Sequence, residues 1–263
     1  ATPVGLGQVL DWLETGRPLP PHSVLITFDH GDRTLLDHGL PLLAERGFPG
    51  VAFIVPELVG TERPFWWLEA AYLVRHGGTA RHLATRSPSA AVEAMKRMPD
   101  PDRRRSLAEL RVSAKKAAPA YGQLAPDELC KLTEGGLEIG NHTLGHPLLD
   151  RCDDHTVEAE ITGAHRLLGR WLGVPPRAFA HPGGTVDPRA ERVLVRLGYR
   201  AAFLCDPRLA PATPPHPLRI SRLRVDSTMS RHRFDTVLSG LQPAVQRRLR
   251  GRDGVAGPCR DSR

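Results

Sequence analysis

Apolar residues recur at helical spacing over residues 4–13. A break over 16–21 then leads into Ser23-Val-Leu-Ile-Thr-Phe28, a short apolar, β-rich run that ends in polar residues. Residues 35–46 return to helical spacing and stop at Gly47, and Gly50-Val-Ala-Phe-Ile-Val55 forms a second apolar run. This predicts a strand–helix–strand unit with a right-handed crossover, parallel strands and functional groups at the carboxyl ends of the strands. Residues 57–125 break the pattern: an aromatic-rich start, then Arg- and Ala-rich helical segments at 90–98 and 103–117 between Pro99, Pro101 and Pro119. They are predicted to be a helical insertion. Alternation resumes with helices at 126–134, 157–172 and 188–197 and strands at 137–140, 178–180 and 201–204. Four or more such repeats predict an α/β class, either a barrel or an open parallel sheet, with the barrel as the expectation. The expected division is an N-terminal helix and linker at 1–22, a main domain at 23–245 carrying the insertion, and a flexible tail at 246–263.

Composition narrows the class. The 263 residues suffice for one large core, and 40% hydrophobic with 25% charged residues is ordinary for a globular chain and excludes wholesale disorder. No apolar run approaches the roughly 18 residues of a membrane span, and the first residues lack the basic-then-apolar layout of a signal peptide. The chain as given reads as soluble, with its cellular address and oligomeric state left open. It begins with Ala inside a helical pattern, which leaves room for an upstream segment. The net charge of +7 comes with arginines scattered among acids, only 5% aromatic residues and no nucleic-acid motif, so no nucleic-acid partner is expected. The four cysteines lie far apart with no CxxC pair, a pattern that fits free thiols at least as well as disulfides.

The chemistry concentrates at three strand ends. Asn141-His-Thr-Leu-Gly-His146 follows a predicted strand, and if a helix starts after His142 its two imidazoles lie on one face within reach of one ion. Alone, such a pair is more often a loop with two capping or surface histidines. Thr27-Phe-Asp-His-Gly31 also follows a buried strand, although Asp29 could simply cap the next helix and His30 fill a turn. In a parallel α/β fold both loops open on one rim, so Asp29, His30, His142 and His146 can converge. A third segment, Phe179-Ala-His-Pro-Gly-Gly184, offers His181, Pro182 and Gly183 as an oxyanion- or substrate-binding loop on that rim.

In order, these segments resemble the polysaccharide deacetylase family, the NodB-homology group of carbohydrate esterases. The family's TFDDG motif is matched by Thr27–Gly31 with one change, its H[ST]xxH motif by His142–His146 in full, and the FAYPxG form of its third motif by Phe179–Gly184 with His181 in place of Tyr. Gly50-Val-Ala-Phe-Ile-Val-Pro56, Phe65-Trp-Trp67 and Leu218-Arg-Ile-Ser-Arg-Leu-Arg-Val-Asp226 extend the likeness over residues 23–226. The resemblance implies a distorted (β/α) barrel of seven or eight strands that removes an N-acetyl group from an amino sugar. By the same resemblance Asp29 is the general base, and His30, His142 and His146 hold a divalent metal, zinc above others. His30 stands where the family has Asp, which turns an Asp-His-His site into a three-histidine one. The family's late LxH histidine, the proton donor, has no match, and an upstream histidine or His181 are the alternatives. Hydrolysis of another linear amide or an O-acetyl ester stays open, as does a catalytically inactive carbohydrate-binding relative. The Trp66-Trp67 pair suits the core better than a sugar-stacking platform.

Overall fold

The computed structural model describes residues 1–206, 208–209, 211 and 215–240, and the tail expected at 246–263 lies outside them. In chain order the elements are β1 (Thr2–Pro3), α1 (Leu6–Thr15), β2 (Ser23–Val24), β3 (Ile26–His30), α2 (Leu40–Ala44), β4 (Gly50–Ile54), α3 (Trp66–Arg75), α4 (Pro88–Arg97), α5 (Asp100–Ser113) and α6 (Pro126–Glu134). Then follow β5 (Leu137–Asn141), α7 (Asp154–Leu172), β6 (Ala178–Ala180), α8 (Pro188–Arg196), β7 (Ala201–Phe203) and α9 (Arg231–Leu238). Every strand pair is parallel: β3-β4-β5-β6-β7 form one curled five-stranded arc, and β1-β2 form a separate pair. With helices outside the arc, this curled parallel sheet is consistent with the expected distorted (β/α) barrel; among the described residues five strands form the arc, fewer than the seven or eight expected, and β1-β2 stand beside it.

Burial explains the strand composition. All five residues of β4 are buried, as a parallel strand covered on both faces requires. Val51 and Phe53 face the barrel interior with Ala178, Ala180, Ala201 and Phe203, where Leu6 and Leu10 of α1 fill the remaining space. Ala52 and Ile54 face outward under α2 and α6 with Leu137 and Ile139. Farther along the arc, α7 and α8 cover Phe179 and Ala202 through Val157, Ile161, Val193 and Leu194. At roughly 1.5–3 kcal/mol for each fully buried large apolar side chain, these layers dominate the fold's stability. The insertion has a core of its own, in which α3, α4 and α5 meet through Leu73, Met95, Leu107 and Leu110.

Three elements depart from the sequence reading. The single run at 23–28 serves two sheets: Ser23 and Val24 pair with β1, and after Leu25 the chain changes neighbours so that Ile26–His30 pairs with β4. The helix expected at 35–46 begins as a π-helical turn, Leu35–Gly39, because the amide of Leu40 donates to Leu35 five residues back, next to a Pro41 that has no N–H. Helix α7 starts three residues before its apolar spacing does, since Asp153 caps it by accepting from the Thr156 amide at 2.7 Å. Of the cysteines, Cys130 and Cys152 are free thiols.

Candidate active site

Strand register gathers the motif residues. His30, Ile54 and Asn141 are consecutive partners across β3, β4 and β5, and Asn141 pairs with Phe179 of β6. The carboxyl ends of the strands therefore align, and Asp29, His30, His142, His146 and His181 all line one cavity of about 380 Å³. Its wall is aromatic, with the Trp67 ring 4.7 Å from His30 and 4.6 Å from His146, and Phe65 stacked against Trp67 at 4.9 Å. Trp66 and Trp67 are only 7% and 5% exposed, so both belong to the core, and Trp67 shows the cavity one face.

His30, His142 and His146 each offer a ring nitrogen, all within 4.8 Å of one another. The Ala180 carbonyl, 2.8 Å from His142 Nδ1, can only accept, so Nδ1 carries the proton and Nε2 presents its lone pair. Both ring nitrogens of His146 are buried without a hydrogen-bond partner among the described residues, a costly state for polar atoms. Burial lowers the His142 pKa to about 4 and the His146 pKa well below its usual value, so both rings are neutral at physiological pH. Three imidazoles within reach of one point, two of them held neutral by burial, and an orphaned pair of nitrogens fit a divalent, borderline-soft ion such as zinc.

Asp29 is anchored from the far end of the arc. Arg222 donates to Thr27 Oγ1 at 3.1 Å, to both Asp29 oxygens and to the Leu204 carbonyl at 2.9 Å, bridging the gap between β7 and β3. Burial opposes ionisation of Asp29, but the Arg222 charge, aided by His142 and the Arg222 hydrogen bonds, overcomes it and holds the carboxyl below the usual carboxylate range. The helix-capping role open to Asp29 falls instead to Asp32, whose Oδ1 accepts from the Thr34 amide at 2.9 Å. Sequence reasoning missed Arg222: it lay within a quoted stretch, but nothing there distinguishes it from Arg219 or Arg224.

The third motif contributes a side chain more than a set of amides. The His181 amide donates to Phe203 in the sheet, Pro182 has no N–H, and the Gly184 amide turns back to His181, so among the three expected loop residues the Gly183 amide alone meets no described backbone acceptor. The expectation of an oxyanion-binding loop therefore narrows to Gly183. His181 is 1% exposed with both ring nitrogens unpartnered among the described residues, and burial pushes its pKa down to about 4.

His142 and His146 converge without the helix that would set them on one face. The segment between them is a tight loop in which Thr143 and His146 are left-handed, at φ 64° and 58°, and His30 also has a positive φ of 78°. Three of the four non-glycine residues with positive φ among the described residues thus lie at this site. Each costs on the order of 1–3 kcal/mol and persists only where neighbours over-determine it, as they do at functional sites.

The polysaccharide deacetylase family model matches residues 16–202. Among solved structures, a deacetylase of Streptococcus pyogenes, PplD, in complex with acetate superposes with a TM-score of 0.60 at 14% identity, covering 89% of this chain and 78% of that one. IcaB from Ammonifex degensii gives 0.59 at 17% identity over 92% and 81% of the two chains, and the deacetylase domain of BpsB from Bordetella bronchiseptica 0.56 at 18% over 84% and 78%. At these identities the likeness is one of fold. Over 88 residues the chain is also 35% identical to an uncharacterised protein of Streptomyces coelicolor, a stretch that spans 34% of this chain and 33% of that relative.

Proposed function

The chain belongs to the polysaccharide deacetylase family, and from that premise we propose that it hydrolyses the N-acetyl group of an amino sugar, with Asp29 as general base and His30, His142 and His146 as the ligands of a divalent metal, zinc above others. The observation that carries the reading is the meeting of three histidine ring nitrogens with an ionised carboxylate in one cavity at the strand ends. When bound, the ion would supply Lewis acidity, polarising the acyl oxygen and making a nearby water more acidic.

The residues of the chain do the rest. Asp29 takes the proton of the attacking water, and the two-point grip of Arg222 keeps its carboxylate ionised and aimed. Because both Asp29 oxygens are engaged by Arg222, the carboxylate suits proton transfer better than ligation. The Gly183 amide can donate to developing negative charge, and His181 stands at the cavity wall as the group to meet the leaving amine. Phe65 and Trp67 exclude water from one side, and the half-exposed Tyr121, donating to Asp32 at 2.8 Å, forms a polar lip suited to sugar hydroxyls.

The test is metal content together with acetate release. The purified chain should hold about one zinc and release acetate from N-acetylglucosamine oligomers, and Asp29→Asn should keep the zinc and lose the turnover. Protein that takes up no zinc and releases no acetate from N- or O-acetylated sugars would refute the reading.

A further inference from the structure

Resting on that metal reading, we propose that Trp66 and Glu160 are positioning residues for the ligand His146, and that the inserted helices hold the metal site through them. His142 and His146 are held in different ways. The His142 ring is gripped directly, by the Ala180 carbonyl at 2.8 Å. Among the described residues the His146 ring has no hydrogen bond at either nitrogen, so beyond its packing on Trp67 its direction depends on how firmly its backbone is held. That backbone is left-handed at both Thr143 and His146, a conformation such residues do not keep unaided.

Local bonds secure the start of the loop: the Thr143 amide donates to Asn141 Oδ1 at 2.7 Å, and the His146 amide to Thr143 Oγ1 at 3.1 Å. Its far side is held from two other elements. Glu160 of α7 accepts the Leu144 amide on its carbonyl at 3.1 Å and the Gly145 amide on its carboxylate at 2.7 Å. Trp66 of α3 donates Nε1–H to the His146 carbonyl at 3.2 Å in the buried interior.

The two grips belong to one circuit. Arg104 of α5 bridges Glu160 at 3.2 Å and Asp100 at 2.6 Å, Asp100 pairs with Arg103, and the Arg103 guanidinium lies 4.8 Å over the Trp66 ring. Asp100 and Arg103 are 4% and 5% exposed, so this pair within α5 acts at low dielectric and fixes the Arg103 guanidinium that joins α5 to Trp66 of α3. From the His146 carbonyl through Trp66, Arg103, Asp100, Arg104 and Glu160 the chain of contacts returns to Gly145, one residue away. Arg103 and Arg104 of this region are thus part of the frame of a ligand loop.

Trp66→Phe keeps a ring face for Arg103 and removes only the Nε1–H donor. Zinc affinity of the full chain is measured by competition with a chromophoric chelator, together with the thermal midpoint and amide hydrogen exchange over residues 143–146 in metal-free protein. The expected result is a zinc dissociation constant raised about tenfold or more, faster exchange in the loop, and a metal-free midpoint within about five degrees of wild type. Glu160→Gln, which keeps an acceptor for the Gly145 amide, should retain more affinity than Glu160→Ala, a difference that a merely structural role would not produce. Unchanged zinc constants in Trp66→Phe and Glu160→Ala overturn the proposal; if Trp66→Phe does not fold, equal constants for the two Glu160 variants overturn it. Wild-type protein without zinc defeats the metal reading separately, and unaltered loop exchange in metal-free Trp66→Phe then defeats the grip as well.

Discussion

Arg222 donates to both carboxylate oxygens of Asp29, at 2.7 and 2.9 Å, across 193 residues of chain. One partner lies on β3 and the other beyond β7, so the pair fastens the two margins of the arc while it fixes the charge of the proposed base. Asp29 has a depressed folded pKa, so its contribution to stability is present above 3.8 and is lost as pH falls below that value. Arg222→Met removes the charge that opposes desolvation, and the Asp29 pKa should then rise above the usual carboxylate value. The acidic limb of the pH–activity profile should move to higher pH, with kcat at neutral pH reduced at least about tenfold. An unshifted acidic limb would mean that Asp29 is not the group being titrated.

The histidines set a different pH window. His142 and His181 are each lowered from 6.5 to about 4, with burial as the main cause. As pH falls through this interval the unfolded chain takes up protons that the folded chain refuses, so metal-free protein is at full strength above 6.5 and weakens progressively toward 4. Each ring should account for roughly 3 kcal/mol at most. Urea denaturation of metal-free protein at pH 7.5 and at pH 4.5 measures the loss, and equal stabilities at the two values would show that neither ring is desolvated in solution.

Much of this was legible in the sequence, for identifiable reasons. β4, β6 and α6 announce themselves because a strand buried on both faces must be continuously apolar and because Pro126 and Gly135 bracket the helix. The motif residues could be placed on one rim because parallel topology alone brings strand ends together. Helix α3 was not seen, since Phe65 at its start supplies no side-chain cap and two tryptophans resemble neither helix nor strand. The path of the loop at 142–146 stayed open because left-handed residues leave no mark on a hydrophobic pattern. Arg222 was hidden by its own abundance: among 36 lysines and arginines, the one that crosses a barrel is singled out by packing alone.

His30 offers a test of the ligand set. It stands where the family has Asp, and its ring lies 5.3 Å from that of His142 and 4.9 Å from that of His146. His30→Asp keeps a donor at this place and returns a negative charge to the site, so zinc should still bind, within about tenfold of wild type. His30→Ala leaves two rings and should weaken zinc by about a hundredfold or more. Chelator competition compares the three proteins, and equal affinity for His30→Ala and wild type would remove His30 from the ligand set.

Two glycines on the rim separate backbone strain from steric conflict. Gly31 and Gly184 have nearly equal positive φ, 71° and 75°. An alanine at either place meets a conformation that costs roughly 1–2 kcal/mol for a residue with a Cβ. Their surroundings differ. At position 31 the added carbon would meet the Cδ1 tip of Ile54, which can rotate away, whereas at 184 it would lie 2.5 Å from the backbone nitrogen and 2.8 Å from the Cα of Cys205, which cannot yield without moving the chain. Gly31→Ala should therefore cost about 1–2 kcal/mol, and Gly184→Ala at least about 3 kcal/mol in denaturant unfolding. Because the strain is common to both, the difference between them measures the clash. The turn at 182–184 also carries the Gly183 amide and follows His181, so the surviving fraction of Gly184→Ala should show a raised KM, while Gly31→Ala, acting beside His30, should lower zinc affinity instead. Equal destabilisation by the two substitutions would mean that the 182–184 turn shifts freely, and that Gly183 is not held in place for the substrate.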